Sequence, residues 1–460
     1  MTTIPQRLRP HSTLLLYPTL LLSSVLTMPA AYAAVITDIA APLTASDINA
    51  KPDTVLSQLS LAQALKIALA ANRDLKLSQI AIDSAAAAKI IAGAAPNPTL
   101  TIQTAGMNPK LGIGAGTLRD KTVDTTFRID QLIERGGKRD LRLQSATHLE
   151  TSAKFDNEGQ LRQLHLATSF AYFDLMAAQG KFSIANELRS IFRTTLSTAD
   201  LRKKTGDIAG ADAARVKVDA MRAENDARQA ANDLFQAQSS LLSLLSAQSA
   251  PSDLRATDAW ADIAAADAQL LYADIRPLIA QRADVKSAQA RLDAALSARQ
   301  LALAAKTRDV SVGLQFEHYP VSPTNTLGSG NSFGISVQIP LFARYAYQGE
   351  ISLAEKNVDS AREILEKTKE NARFELLNIQ ESARSAQEKV QRFQQELLQA
   401  ARQSASAAEF AFKNGAIGVT DLLDARRIYR TTELDAINAQ ADYAKALSAL
   451  RISIQEVTTP

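Results

Sequence analysis

The strongest constraint on how this chain can fold is that it is written twice. Residues ~60–250 and ~270–457 carry the same succession of a helix, two alternating strands, a very long helix, a glycine turn and a returning helix. Asp74, Lys89, Phe127, Gly206, Ile208 and Asp212 recur as Asp284, Arg299, Phe333, Gly415, Ile417 and Asp421, at offsets of 206 to 210 residues. A repeat this long excludes a short-period solenoid and points to duplication of a whole structural unit.

Proline placement sets the size of the elements. None falls between Pro109 and Pro251, between Pro277 and Pro320, or between Pro340 and Pro460, and these gaps permit helices of exceptional length. At ~1.5 Å per residue, helices over ~138–204 and ~341–413 would each run roughly 100–110 Å. The returning helices, ~211–246 and ~420–457, and the opening helices, ~59–93 and ~270–306, are each about half that length. One of each stacked end to end therefore matches one long helix, which predicts an elongated rod. Within ~341–413, Ala354, Val358, Ala361, Leu365, Ala372 and Ile379, then Ala383, Ala386, Val390, Phe393 and Leu397, follow three-and-four spacing, a coiled-coil seam built largely from small residues. Aromatics at 5% fit such a thin core.

Four segments switch to a period of two. Leu100 and Ile102 alternate with polar neighbours, as do Val123, Thr125, Phe127 and Ile129; Val310, Val312, Leu314 and Phe316; and Phe333, Ile335, Val337 and Ile339. Loops 106–122 and 320–332 join them into two hairpins at corresponding points of the two repeats. A four-stranded sheet with one apolar face could pack on a helix. It could instead supply part of an outer-membrane barrel, which starts at eight strands and so would need several chains.

The start of the chain bears on that choice. Residues 1–33 carry Arg7 and Arg9, an apolar run from Leu14 to Leu26 broken by Pro18, and Ala31-Tyr32-Ala33, the order of a secretory signal peptide cut after Ala33. The run is short for a membrane span, and no other segment reaches the ~18 apolar residues a membrane helix needs. A dimer would close eight strands around a filled interior, a trimer twelve around an open lumen.

Composition removes several functions. With no cysteine, thiol catalysis, thiolate metal sites, disulfides and a lipid-modified cysteine are excluded together. With 51 basic and 48 acidic residues mixed along the helices, nothing suggests a nucleic-acid footprint. Gly112, Gly114 and Gly116 have no buried parallel strand before them and no helix after, so they read as a surface loop. Gly136-Gly137-Lys138 lacks the rest of a phosphate loop and reads as a strand-to-helix junction. His148, His165 and His318 have no spacing suited to a shared metal, and no nucleophile and base constellation is found. The chain is therefore read as no enzyme, with no cofactor and no tightly bound metal.

With these features in place the chain resembles the TolC-like outer-membrane efflux factors over nearly its whole length after residue 33. The carrying residues are Leu59-Ser60-Leu61 with Ala64-Leu65 and Asn72, then Pro96-Asn97-Pro98, Ile339-Pro340-Leu341-Phe342, and Gly415 through Asp421-Leu422-Leu423-Asp424-Ala425. The segment Gln131 to Arg139, QLIERGGKR, resembles more narrowly the CzcC-type heavy-metal efflux branch. Arg308-Asp309 stands where Pro-Asp is often seen in the family.

The resemblance implies a mainly α fold with a small β part. Its elongated coiled-coil helices would give four strands per chain to a trimeric, 12-stranded outer-membrane β-barrel continuous with a periplasmic α-barrel. The segments are then 1–33 signal peptide, 34–58 N-terminal extended segment, 59–250 first repeat, 251–269 equatorial linker and 270–457 second repeat. The implied function is a passive duct of a tripartite RND-type system exporting divalent heavy-metal cations, with drug efflux or type I protein secretion as alternatives. A periplasmic coiled-coil scaffold without a pore is the alternative from another class. The implied partners are two further copies of the chain, a periplasmic adaptor, an inner-membrane RND-type pump and outer-membrane lipid.

Candidate residues sit at the two helix-hairpin tips, ~205–210 and ~414–419. Asp421 and Asp424 lie three apart at a helix start and can face one way; in a single copy they need be no more than carboxylates favoured by the helix dipole. The resemblance places them at the periplasmic mouth, where three copies would form a gate that attracts cations. The first tip offers Asp212, but Arg215 where the second has Asp424, so an Arg215-to-Asp424 link between neighbouring helices is expected to help close the mouth. Phe412 and Ile417 stand where the family often carries a tyrosine and a basic residue of its lock. Gly206, Ile208, Gly415, Ile417, Gly418 and Val419 form the tips that would meet the adaptor, with Ile208, Ile417 and Val419 expected as exposed apolar docking points.

Overall fold

In a computed structural model the described residues are 57–105, 123–247, 254–260, 270–319 and 330–454. The signal-peptide, extended-segment and Gly112-Gly114-Gly116 readings lie outside them, as do most of loops 106–122 and 320–332 and most of the 251–269 linker.

Strand β1, Gln58–Leu59, precedes α1, Leu61–Ala71, and α2, Arg73–Gly93. Next come β2, Thr99–Ala105, and β3, Asp124–Ile133. The 67-residue α3, Lys138–Lys204, and the returning α4, Gly210–Leu244, complete the first repeat. A short strand, β4, Arg255–Ala256, and a 3-10 turn, Leu270–Tyr272, lead to α5, Arg276–Ile279, and α6, Ala283–Ala304. Strands β5, Val310–Tyr319, and β6, Gly330–Gln338, are followed by α7, Gln348–Arg392. A π turn, Phe393–Leu397, joins α7 to α8, Leu398–Lys413, and α9, Val419–Ile454, returns.

The duplication holds in three dimensions. Asp74 and Asp284 occupy the first turns of α2 and α6. Lys89 of α2 pairs with Glu150 of α3 at 3.0 Å, and its counterpart Arg299 of α6 pairs with Glu355 of α7 at 3.3 Å.

Three expectations are corrected. The opening helix of the first repeat is broken at Asn72, whose Oδ1 accepts from the backbone N–H groups of Asp74 and Leu75 and so starts a second helix. The opening helix of the second repeat is likewise divided, into the 3-10 turn, α5 with Pro277 in its first turn, and α6. The second long helix begins at Gln348 rather than ~341 and contains the π turn, which places Leu397 of the expected seam on the surface at 47% exposure.

The main core lies where α1 and the end of α4 meet the middle of α3. Ala64, Ala68, Tyr172, Phe173, Leu175, Leu241 and Leu245 are all buried there. This is the end-to-end junction that the helix lengths required. It is locked by a feature outside that expectation: β1 and β4 pair in parallel, Gln58 with Arg255 and Leu59 with Ala256. The Tyr172 hydroxyl donates to the Leu59 carbonyl at 2.9 Å and accepts from Thr257 N–H and Asp258 N–H at 3.3 Å each. Two-residue strands are too short to leave a period in the sequence.

Candidate functional site

The four longer strands form one antiparallel sheet in the order β2-β3-β5-β6, with both β2 and β6 as edges. The register aligns the apolar residues in rows: Ile102, Phe127, Phe316 and Phe333 form one, and Leu100, Ile129, Leu314 and Ile335 the next. Phe316 stacks between Phe127 and Phe333, with ring centroids 6.4 and 5.3 Å apart. This face lies open: Phe333 is 83% exposed, Ile335 78% and Leu314 61%.

The opposite face is polar. Arg128 Nε donates to Asp130 at 2.8 Å, and its Nη2 reaches across Gly313 to Ser336 Oγ at 2.9 Å. That hydrogen bonding holds the Asp130 carboxyl below its ordinary range.

The segment Gln131 to Arg139 turns β3 into α3, as expected of a strand-to-helix junction. Gln131 Nε2 donates to the Pro96 carbonyl at 2.9 Å, and Lys138 Nζ donates to the Thr307 carbonyl and to Asp309 at 2.8 Å each. Asp309 also accepts from Arg135 N–H, so it ties the start of β5 to the junction although arginine precedes it. Arg142 pairs with Glu134 and holds its carboxyl below the usual range. These residues serve the join between sheet and helices.

The two hairpin tips are built alike. In the first, Gly206 takes a left-handed conformation at φ 78°, Asp207 N–H bonds the Arg202 carbonyl and Gly206 N–H the Lys203 carbonyl. In the second, Gly415 has φ 74°, Ala416 N–H bonds the Ala411 carbonyl and Gly415 N–H the Phe412 carbonyl. Both are Schellman caps, where a residue without Cβ turns the chain while satisfying the last carbonyls of the helix. Asp212 and Asp421 then fall in the first turns of α4 and α9, where exposed N–H groups favour a carboxylate.

Asp421 and Asp424 are both exposed. Asp424 pairs with Arg427 at 3.1 Å, while among the described residues no cation lies in salt-bridge range of Asp421. Arg215 sits 3.8 Å from Asp212 and donates to Thr420 Oγ1 at 3.4 Å. The expected Arg215-to-Asp424 link is thus not formed within the chain: the guanidinium stops one turn short, on the residue next to Asp421. Ile208, Ile417 and Val419 are half-buried rather than exposed. Ile208 and Val419 turn inward and line, with Val216, Phe412 and Leu422, a cavity of about 630 Å³ between the tips. Gly206, Gly415 and Gly418 are exposed at the turns themselves. The inward turn of the apolar side chains follows from packing between the two hairpins, which are about 200 residues apart in sequence.

Among the described residues no group of three or more His, Cys, Asp or Glu side chains is placed to hold a metal, and no helix is long and apolar enough to cross a membrane.

Comparison with known proteins places this geometry. The family described as Outer membrane efflux protein matches residues 275–454, essentially the second repeat. No curated protein matches the chain in sequence. Among solved structures, the CmeC outer membrane channel of Campylobacter jejuni superposes with a TM-score of 0.71 at 17% identity, covering 85% of this chain and 85% of that one. The outer membrane protein VceC of Vibrio cholerae gives 0.68 at 16% identity, covering 86% and 95%. The open state of the MtrE outer membrane channel of Neisseria gonorrhoeae gives 0.65 at 16% identity, covering 86% and 88%. This chain therefore has the fold of an outer-membrane efflux channel protomer, and its second repeat matches the outer membrane efflux protein family.

Proposed function

We propose that this chain is one third of a passive outer-membrane export duct whose cargo is divalent heavy-metal cations. The carrying observation is the sheet: its apolar rows lie exposed, its polar face carries the Arg128 network, and both edges lack a partner strand among the described residues. An open apolar face with free edges is an aggregation hazard in water. In lipid the same face is an asset, provided every edge is paired by another copy. The central strands β3 and β5, ten residues each, at ~3.4 Å per residue and a ~40° tilt span about 26 Å, close to the height of the apolar band of such barrels. A scaffold in which the strands pack on helices would bury these rows instead. Three copies would close twelve strands around a lumen lined by the polar face.

Below the barrel the long hairpins form the conduit, and the tips at Gly206, Ile208, Gly415, Ile417, Gly418 and Val419 meet a periplasmic adaptor that couples the duct to an inner-membrane RND-type pump. Asp421 and Asp424, with Asp212 and Arg215, form the gate. Three copies of each carboxylate around one aperture attract cations and repel each other, so closure depends on neighbouring cations such as Arg215 and Arg427. The heavy-metal cargo is supported by the resemblance of the segment from Gln131 to Arg139 to the CzcC-type branch. The duct itself supplies a sealed polar path, and selection rests mainly with the pump.

Two experiments test this reading. The purified chain should be a trimer that conducts in planar bilayers, with divalent cations blocking the current. Asp421→Ala with Asp424→Ala should weaken that block at least several-fold, and undiminished block would remove these residues from the gate. A strain lacking the chain should become sensitive to zinc, cobalt, cadmium, nickel or copper. Sensitivity confined to dyes and antibiotics would retain the duct and refute the metal cargo.

A further inference from the structure

The cations around the sheet fall into two sets. Those on the polar face or inside the junction are neutralised: Arg128 by Asp130, Lys138 by Asp309 and Arg142 by Glu134. Arg135, Arg308 and Arg344 are exposed instead, and among the described residues none of the three lies within salt-bridge range of a carboxylate. Arg308 is the residue that stands where proline is often seen in the family.

Strand geometry says where this second set lies. Val310, Val312, Leu314 and Phe316 share the apolar face of β5, and alternation carried two residues back puts Arg308 on that face. On β3 the same alternation runs through Phe127, Ile129 and Ile133 and reaches Arg135. The last register pair is Ile133 with Val310. Continued by two residues, that register sets Arg135 opposite Arg308, with backbones about 5 Å apart. Like charges opposite each other destabilise a strand pair, and an anion between them removes that cost. The far end of the same face closes with a polar row, Thr104, Thr125, His318 and Asn331, in which His318 Nδ1 lies 2.8 Å from Asn331 Oδ1. From His318 back to Arg308 is a rise of about 26 Å at ~3.4 Å per residue and ~40° tilt, the height of an apolar band. The two arginines therefore stand at the border of that band on the helical side.

An aromatic cluster holds them there. The Arg308 guanidinium lies over the Phe342 ring, 5.5 Å from its centroid. Phe342 meets Tyr347 edge-on at 5.2 Å, Tyr347 meets Tyr345 at 6.4 Å, and the Tyr345 hydroxyl engages Glu350 at 2.6 Å. Tyr347 has φ 62°, a left-handed conformation that a bulky residue adopts only under strain. Glycine would make this turn freely, so what Tyr347 adds is its ring, packed on the platform under Arg308. Amphipathic rings and arginines suit the level where apolar surface gives way to water.

We propose that Arg135 and Arg308, with Arg344 two residues beyond Phe342, bind the phosphate of an anionic phospholipid in the periplasmic leaflet, one site per copy. This rests on the duct proposed above, which sets the apolar face in lipid. The paired guanidiniums offer planar donors to the two free oxygens of a phosphodiester, while the acyl chains lie along Val310, Val312 and Leu341. A headgroup carrying an amine would bring its own cation beside three arginines, so phosphatidylglycerol should bind better than phosphatidylethanolamine.

The purified assembly in detergent is titrated with either lipid, and the lipids retained are counted by native mass spectrometry. Phosphatidylglycerol should be held several-fold more tightly, and equal concentrations of inorganic phosphate or glycerol phosphate should not displace it. Each arginine should contribute about five-fold, so Arg135→Gln with Arg308→Gln should weaken binding roughly 25-fold. The paired lysine variants should keep most of it, and Lys367→Gln, an equal loss of charge on exposed α7 surface, should change nothing. Undiminished binding in the double glutamine variant, or equal retention of the two lipids, overturns the site and leaves the duct standing. Displacement by inorganic phosphate shows a site for free anions and overturns the lipid assignment. A chain that stays soluble without detergent and does not enter vesicles of either lipid overturns the duct, and the lipid site with it.

Discussion

Replacing Gly313 by alanine sets two effects of known sign against each other. Glycine inside a strand is ordinarily a weakness, and alanine there should stabilise by ~0.5–1 kcal/mol through the unfolded state. Here a Cβ would lie 2.3 Å from Asp130 Oδ1, 2.5 Å from Ser336 Oγ and 3.2 Å from Arg128 Nη2. The first two distances are far inside van der Waals contact, so Asp130 and Ser336 must move and the guanidinium bridge across β5 must open. Overpacking of this kind costs ~1–3 kcal/mol, which outweighs the backbone gain and leaves a net loss of about 1–2 kcal/mol. The assay is the temperature at which the detergent-solubilised assembly melts, compared among variants at one scan rate because such assemblies unfold irreversibly. With Asp130→Ala and Ser336→Ala the obstructing atoms are gone, and Gly313→Ala should become neutral or stabilising. If Gly313→Ala lowers the melting temperature equally in both backgrounds, the crossing of Arg128 over Gly313 is not what requires glycine, and the account of the polar face fails.

Tyr172→Phe should cost ~1–3 kcal/mol in thermal unfolding, because the buried hydroxyl serves Leu59, Thr257 and Asp258 at once. Burial pushes the Tyr172 hydroxyl up to about 12, above its value in the unfolded chain. Its contribution of roughly 2–3 kcal/mol is therefore complete below pH ~10 and lost as the pH rises towards 12. A pH series of melting temperatures should show a smaller alkaline loss for Tyr172→Phe than for the parent. Asn72→Ala should cost about 2 kcal/mol, since it removes the cap of α2 and a hydrogen bond at 3.2 Å to the Leu244 carbonyl where α4 ends. A loss within error of zero would mean that the helix break is set by α1 and α3 instead.

Much of this architecture was legible because it is carried by local chemistry. The gap between Pro109 and Pro251 permits α3, and Gly206 and Gly415 mark where the long helices turn back. Alternation around Phe127, Leu314 and Ile335 locates strands whose register then aligns those residues in common rows. The break at Asn72 was also present in principle, since an asparagine two residues before Asp74 is a helix-start signal, but a continuous apolar pattern on both sides masks it. Leu397 was misplaced because seven-residue spacing assumes one helical period throughout, and a single π turn shifts every later residue.

What the sequence determined by itself is whatever depends on neighbours within a few turns: the duplicated order of elements, their lengths, the tips, and a sheet with one apolar face. The tertiary structure alone decided that Arg128 reaches Ser336 across Gly313, that Tyr172 locks β1 to β4, that Arg215 engages Thr420 rather than Asp424, and that Ile208 and Val419 face each other's hairpin. Each of these joins residues far apart in the chain, and their meeting depends on the exact rotation and crossing of long helices and strands. A rotation of one residue step, ~100° about a helix axis, is enough to exchange one partner for another.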